Sequence, residues 1–334
     1  MTPLRVGVIG VGAMGSIHAD HLATRIPDAR LEAIADIDAK TAKLVAGQVG
    51  VARVYAAASQ LIADPDIDAV VIATLRGLHP TLIAEAAAAG KHVFSEKPLA
   101  STVGECDSAI AAVAKAGVQL QIGFHRRFDP HFAQVRATIA DGSVGEPRIM
   151  HMISRDPNPV AGNASRSPAD LFLETTIHDL DMARHLSGSE IVEVFAIGVP
   201  GADANSLEGA ALTLRMANGV VATIDNHLRS AYGYDQRLEV FGSDGAVSVE
   251  NQTPHRATLA DARGVHSALP LHFFAERYGD AYLAEMASFV RCVIDDSELL
   301  VTGADGRAAV VAALAAVESL AKGRPVSVGD AIDR

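Results

Sequence analysis

The stretch from Leu4 to Gly15 constrains this chain more than any other. Leu4 to Ile9 reads as a short buried strand, and Gly10-Val11-Gly12-Ala13-Met14-Gly15 follows at once, opening a helical pattern from Ala13 to Thr24. A G-x-G-x-x-G sequence between a strand and a helix commits the chain to a βαβ unit that binds a dinucleotide. Each glycine meets a separate demand: a tight turn at Gly10, close approach of a diphosphate at Gly12, and helix–strand packing at Gly15. The diphosphate is expected over the helix N-terminus, where unbonded N–H groups and the helix dipole favour an anion.

Asp36 points to the kind of dinucleotide. It ends a second strand, Leu31 to Ala35, and lies 21 residues past Gly15, near the spacing of the acid that holds the adenosine ribose. A carboxylate there accepts from both ribose hydroxyls and repels a 2′-phosphate. No arginine follows in Ile37-Asp38-Ala39, so NAD is expected rather than NADP. The plainer alternative is that Asp36 caps the helix read from Asp38 to Gln48.

From residue 4 to about 122 short β-branched runs alternate with helices. The later runs are Ala69–Ala73, Val93–Ser95 and Val118–Ile122, and the later helices Pro80–Ala89 and Val103–Lys115. The alternation predicts right-handed βαβ units and a parallel, doubly wound sheet. Pro80, Gly90 and the Thr102-x-x-Glu105 capping box mark helix ends. Beyond residue 122 the texture changes. A helix at Pro130–Ala140 and a strand at Arg148–Ser154 lead into a Pro-, Asn- and Ser-rich loop from Asp156 to Pro168, and a helix begins near Thr176. Strand-like runs then follow at Ile191–Gly198, Gly209–Met216, Val220–His227, Gln236–Phe241 and Ala246–Glu250, with Asn218-Gly219 and Asp244-Gly245 as hairpin turns. Helices at Ala281–Ile294 and Asp305–Lys322 close the chain. The reading is α/β: a Rossmann domain over 1–122, then an α+β domain over 123–334 with an open, largely antiparallel sheet for substrate binding and oligomerisation.

Bulk properties narrow the function. Two domains suit 334 residues, and 49% hydrophobic with 20% charged residues is ordinary globular composition. A net charge of −12 without a basic, aromatic-interleaved patch argues against nucleic acid. No apolar run is long enough to span a bilayer, and a strand at the very N-terminus leaves no room for a signal peptide. Cys106 and Cys292 lack metal or redox spacing and read as buried free thiols of a cytoplasmic protein.

Two clusters carry chemistry. Glu96-Lys97-Pro98 follows the fifth strand at the carboxyl edge of the parallel sheet, where ligands bind in such folds. A lysine there can hold a substrate hydroxyl and stabilise charge developing on its oxygen. Glu174 and His178 are four apart and share a face of a helix, so an imidazole with a carboxylate neighbour is a candidate general base. His178, Asp181 and His185 also share a helix face, but no second ligand cluster accompanies them and no metal is assigned. Tyr232 and Tyr234, beside Asp235 and Arg237, suit a polyhydroxylated ligand. Arg155 and Asp156 end a strand near the same place, and Arg126-Arg127 reads as an ion-pairing fastener between the domains.

Glu96-Lys97-Pro98, Gly123-Phe124-His125-Arg126-Arg127-Phe128-Asp129-Pro130, Ser154-Arg155-Asp156-Pro157, Thr176 to Arg184, Tyr232 to Arg237 and Glu276-Arg277-Tyr278 together resemble the glucose–fructose oxidoreductase / inositol dehydrogenase / rhizopine catabolism family along essentially the whole chain. Within it the inositol 2-dehydrogenase subgroup is most similar. The resemblance implies an NAD-linked secondary-alcohol dehydrogenase, commonly a homotetramer (or a dimer) formed through the C-terminal sheet. It implies Lys97, Glu174 and His178 as catalytic residues. Cofactor contacts are then expected from Gly10, Gly12, Ala13, Met14, Gly15, Asp36, Thr74, Arg76, His79, Glu96 and Lys97, and substrate contacts from Lys97, Arg127, Asp156, Glu174, His178 and Tyr234. The expected substrate is myo-inositol or a stereoisomer such as scyllo-inositol, oxidised to the inosose. A sugar dehydrogenase acting on a pyranose, and a non-catalytic NAD(H)-binding sensor, are the alternatives. Four positions depart from the subgroup: Glu174 replaces an Asp, Ala169-Asp170 a Gly-Gly pair, His125 an Asn, and Thr74-Leu75-Arg76 a Pro-containing turn.

Overall fold

Residues 2–157, 166–203 and 205–329 are described by the computed structural model. Its contacts divide the chain into two units, Met1–Phe128 with Asp280–Val310, and Asp129–Gly279 with Val311–Arg334. The segment Asp280–Val310 thus returns to the first unit, an excursion that a single linear division at residue 122 leaves out.

The first unit is built on strands β1 (Leu4–Ile9), β2 (Ala29–Ala35), β3 (Arg53–Tyr55), β4 (Ala69–Ile72), β5 (His92–Ser95) and β6 (Leu120–Ile122), linked by helices α1 (Ala13–Thr24), α2 (Ala39–Val49), α3 (Ala58–Ile62), α4 (His79–Ala88) and α5 (Val103–Ala116). The sheet order is β3-β2-β1-β4-β5-β6 and every pairing is parallel. Strand order reverses between β1 and β4, which makes the carboxyl ends of those strands the natural ligand crevice. β4 is buried at every position, as a strand covered on both faces must be. Its partners in the core include Val6, Val8, Leu22, Ile34 and Phe94, with Met286 and Phe289 from the returning segment. The capping box forms: Thr102 accepts from the Glu105 N–H and Glu105 from the Thr102 N–H. Sequence periodicity gave no sign of β3 and α3, because three half-buried strand residues and a five-residue helix are too short to show a pattern.

The second unit contains α6 (Pro130–Ala140), β7 (Pro147–Pro157), a short turn α7 (Pro168–Asp170), a π-helix over Leu171–Thr176, α8 (Ile177–Ser187), and strands β8 (Ile191–Pro200), β9 (Leu207–Met216), β10 (Val221–Ser230), β11 (Asp235–Gly242) and β12 (Ala246–Val249). An exposed hairpin, β13 (Thr258–Asp261) and β14 (Gly264–Ser267), follows, then α9 (Phe274–Arg277), α10 (Gly279–Asp295), α11 (Gly303–Lys322) and β15 (Val326–Ser327). Helices α10 and α11 cross the division between the units. The large sheet runs β12-β11-β7-β10-β9-β8-β15, antiparallel except for β7 with β10. Along β10 the burial alternates strictly: Ala222, Ile224, Asn226, Leu228 and Ser230 are buried, and the residues between them half-buried or exposed. The other face carries exposed Ile149, Ile197, Val199 and Phe241. Most of the loop read from Asp156 to Pro168 lies outside the described residues.

Candidate active site

The glycine loop is shaped as the sequence requires. Gly10 has φ +81°, and a Cβ there would stand 2.6 Å from the Ala73 carbonyl oxygen at the end of β4. A Cβ on Gly15 would overlap the Gly10 carbonyl oxygen, so only glycine lets α1 lie this close to the turn. Gly12 is different: a Cβ would meet nothing within 4 Å. The space above it is open to a ligand, and Gly12 is the N-cap of α1 with no side chain bonded to the cap. Ala13 is exposed and Met14 half-buried beside that opening. A diphosphate therefore fits over free N–H groups at the start of α1.

Asp36 sits at the carboxyl end of β2. Its Oδ2 accepts the Val11 N–H at 2.8 Å and its Oδ1 the Asp38 N–H at 2.8 Å. The cap of α2 is Asp38, whose carboxylate accepts from Lys40 N and Thr41 Oγ1. The capping alternative for Asp36 is thereby set aside, since the carboxylate braces the glycine loop instead. Ile37 next to it is 95% exposed, an apolar side chain presented at the crevice where an adenosine arginine partner would stand in an NADP enzyme. The residues present thus fit NAD.

At the end of β4, Thr74 is half-buried, Leu75 is exposed, and Arg76 begins a single 3-10 turn. His79 is buried, with Nδ1 2.8 Å from the Pro98 carbonyl and Nε2 3.1 Å from the Thr74 carbonyl. Burial pushes its pKa down, against the two carbonyls it faces, which push it up. Both of its nitrogens face main chain, and its contribution is to tie the turn after β4 to the turn after Lys97. Lys97 is half-buried directly after β5, and its N–H donates to Glu96 Oε2 at 3.3 Å. Glu96 Oε1 lies 2.8 Å from His18 Nε2 of α1.

Arg127, expected among the substrate contacts, lies in the first unit. Its guanidinium is buried, donating to Asp305 at 2.9 Å and to the Leu300 carbonyl at 3.1 Å, both within the first unit. The pair ties the returning segment to the rest of the first unit.

The second unit holds His178 in the first turn of α8, half-buried. The helix start is locked beneath it: buried Asp179 accepts from Ser154 Oγ at 2.8 Å and from Asn226 Nδ2 at 2.9 Å. These bonds join α8 to neighbouring strands β7 and β10, and they fix the backbone that carries the imidazole. The readable signal was Asn226, an amide in the core-facing phase of an alternating strand. Glu174 lies in the π-helix, a rare element concentrated at functional sites. Its carboxylate accepts from Arg166 Nη1 at 2.6 Å, a partner that no sequence pattern indicated. Asp170 is tied to Ser167, which caps the short turn α7. Half-buried Asp156 lies at the end of β7, and Tyr234 is buried with ring contacts at 6.0 Å to both Phe273 and Tyr278. Tyr232 points its hydroxyl at Asp235 at 2.5 Å and accepts from Arg155 at 2.8 Å. Arg155 also pairs with Asp225. Burial alone would raise the Asp235 carboxyl, but donors from Arg237, Tyr232 and Asn251 outweigh it and hold the group below the usual carboxylate range.

A doubly wound sheet with a glycine loop, an acid at the end of its second strand and a lysine at its carboxyl edge is the framework of a nicotinamide-dependent oxidoreductase. The chain belongs to the glucose–fructose oxidoreductase / inositol dehydrogenase / rhizopine catabolism family. Residues 4–124 match the family's "Oxidoreductase family, NAD-binding Rossmann fold" domain, and residues 132–248 match its C-terminal domain. An uncharacterized oxidoreductase, YrbE of Bacillus subtilis, is 40% identical, covering 96% of both chains. A myo-inositol 2-dehydrogenase of Thermotoga maritima is 39% identical, covering 98% of this chain and 100% of the relative. The crystal structure of scyllo-inositol dehydrogenase from Lactobacillus casei with bound NAD(H) and scyllo-inositol superposes with a TM-score of 0.90 at 28% identity, covering 98% of this chain and 100% of that one.

Proposed function

We propose that this protein oxidises a ring secondary alcohol of a cyclic polyol, myo-inositol or a stereoisomer such as scyllo-inositol, to the ketone. The observation that carries the reading is full-length similarity to inositol dehydrogenases, together with a lysine placed at the carboxyl edge of the parallel sheet. NAD, when bound, supplies the hydride acceptor. His178 takes the carbinol proton as general base, and its seat on the Asp179–Ser154–Asn226 lock keeps the imidazole in a defined place. Lys97 donates to the same oxygen and stabilises its alkoxide character. Glu174 favours the charged imidazole, an effect tempered by the Arg166 cation on its other side. Asp156 and Tyr234 contact the polyol hydroxyls. Thr74 and Arg76 line the cofactor.

The exposed apolar residues on the open face of the large sheet support a homotetramer or dimer assembled through that face. Two free, buried cysteines fit a cytoplasmic enzyme. The experiment that tests the activity is NADH formation on a panel of myo-, scyllo- and D-chiro-inositol, D- and L-glucose and D-xylose. Turnover on inositols supports the proposal. Turnover on aldoses alone transfers the assignment to a sugar dehydrogenase. Silence across the panel with NAD still bound overturns it in favour of a sensor. Light scattering in solution reads the oligomer, and a monomer refutes the sheet-to-sheet assembly.

A further inference from the structure

Beneath Lys97 lies a buried trio that the reaction as proposed does not use. His18 on α1, Glu96 after β5 and Glu285 on α10 each offer a nitrogen or oxygen within 4.8 Å of the others, the one such group among the described residues. All three belong to the first unit. Glu285 is fully buried, and neither of its oxygens has a hydrogen-bond partner among the described residues. Met286 and Phe289 on its own helix are buried with Phe94 in the apolar core, and Phe94 meets the His18 ring edge-on at 5.1 Å. Tyr282, one turn before Glu285, meets the same imidazole at 6.3 Å.

An ionised carboxylate cannot stand unpaired in such a place, and two carboxylates this close do not both ionise. The remaining charged and titratable groups do not resolve the conflict. His21 sits behind His18 on α1, its pKa pushed down by burial and then by His18. His125 after β6 stacks on Tyr282 at 4.4 Å. His18 already addresses Glu96 through Nε2 at 2.8 Å, and its Nδ1 has no partner among the described residues. Lys97 reaches Glu96 through its main-chain N–H. Burial pushes the Glu285 carboxyl well above the usual carboxylate range, and Glu96 pushes it the same way.

We propose that Glu285 is a positioning residue for Lys97: it is held as the neutral carboxylic acid, directs its proton to Glu96, and so fixes the carboxylate on which the Lys97 backbone rests. Glu96 then receives donors from three directions, His18 Nε2–H, the Lys97 N–H and the Glu285 O–H. The negative charge of the trio stays on the residue next to the lysine. Gly123 makes room for it, since a Cβ there would stand 3.1 Å from Glu96 Oε2. Helix α10 is held in place at this point by Gln121 of β6, whose amide donates to the Glu285 carbonyl at 3.0 Å. A metal ion fits less well. His18 Nε2 and Glu96 Oε1, 2.8 Å apart, are already closer than two ligands of a tetrahedral zinc, which stand roughly 3.3 Å apart.

This inference rests on the role proposed for Lys97, and the test separates the two. Glu285→Gln keeps a donor of the same shape, Glu285→Leu removes it, and Lys97→Ala is the reference. Infrared difference spectra of the full-length protein should show a protonated-carboxyl carbonyl band that Glu285→Gln abolishes. The wild type should also lose stability relative to Glu285→Gln as pH rises above the ordinary carboxylate value. A proton retained in the fold but released by the unfolded chain gives that sign. Glu285→Gln should turn over within about threefold of wild type, and Glu285→Leu on the order of tenfold to a hundredfold slower with the KM for NAD little changed. In the Lys97→Ala background Glu285→Leu should cost no further turnover. Absence of the band, equal loss in the Gln and Leu variants, or stoichiometric metal by elemental analysis overturns the proposal. A Lys97→Ala enzyme as active as wild type overturns the role of Lys97, while the band still reports on Glu285.

Discussion

Gly12→Ala and Gly15→Ala make the sharpest test of the cofactor loop, because the structure assigns the two glycines opposite reasons. At Gly15 the new methyl carbon would overlap the Gly10 carbonyl oxygen, which is backbone and cannot swing aside. Helix α1 must shift from β1, at a cost of about 1–3 kcal/mol typical of overpacking. At about 2–4 °C per kcal/mol for a unit of this size, the apo protein should melt roughly 2–12 °C lower. At Gly12 a methyl carbon meets nothing within 4 Å, and φ of −69° is open to alanine. Loss of a favourable N-cap, a few tenths to about 1 kcal/mol, is offset by an unfolded-state entropy gain of about 0.4–1 kcal/mol. The apo melting temperature should stay within about 2 °C of wild type. With NAD the ranking changes. A methyl group at Gly12 lifts the diphosphate from the N–H groups of α1, and one lost hydrogen bond to a charged group costs about 1.5–3 kcal/mol. The Kd for NADH should rise on the order of 10- to 150-fold. Scanning fluorimetry of the apo variants and calorimetric titration with NADH read the two effects separately. A Gly12→Ala protein that binds NADH like wild type would refute the placement of the diphosphate. A Gly15→Ala protein that melts like wild type would refute the packing argument.

Lys97→Ala and His178→Ala should each lower kcat by about 100- to 10,000-fold while NADH titration stays near wild type, and an active variant removes that residue from the chemistry. Asp36→Ser combined with Ile37→Arg should move the ratio of kcat/KM values toward NADP; no movement would take Asp36 off the ribose. The depressed carboxyl of Asp235 contributes stability that is complete above the ordinary carboxylate value and lost as pH falls through its lower folded value. Asp235→Asn should therefore melt lower at neutral pH but lose less between about pH 5 and about pH 3, and parallel pH–melting curves would show that this carboxylate carries none of the acid sensitivity.

What the sequence made readable was local. The strand, glycine turn and helix from Leu4 to Thr24 are specified by adjacent residues, and helix α1 ends where its pattern does. Burial alternation gave β8 to β12 to within a few residues, since one covered face imposes a period of two. The exposed hairpin β13–β14 has no buried face to impose any period, and it went unread. Partnerships between distant residues were equally silent. Glu285 sits 189 positions beyond Glu96, and only the tertiary fold brings the two carboxyl groups together. Arg127 was read as an ion-pairing residue without a named partner, and its pairing with Asp305, like that of Arg166 with Glu174, depends on a chain path that no spacing rule encodes.

The return of Asp280–Val310 to the first unit bears on how the chain is made. A ribosome delivers β1 to β6 early, but Met286, Phe289 and Val290, which finish the core beside Phe94, arrive some hundred and sixty residues later. Until then the nascent Rossmann sheet carries an unfinished apolar surface, and the whole second unit short of its last helix and strand has emerged in the meantime. Domain-by-domain folding during synthesis, the usual route for two-unit chains, is closed to the first unit here. Ribosome-bound chains halted with β6 clear of the exit tunnel but α10 not yet made should be sensitive to protease and bind no NADH, and both properties should change only once α10 has left the tunnel.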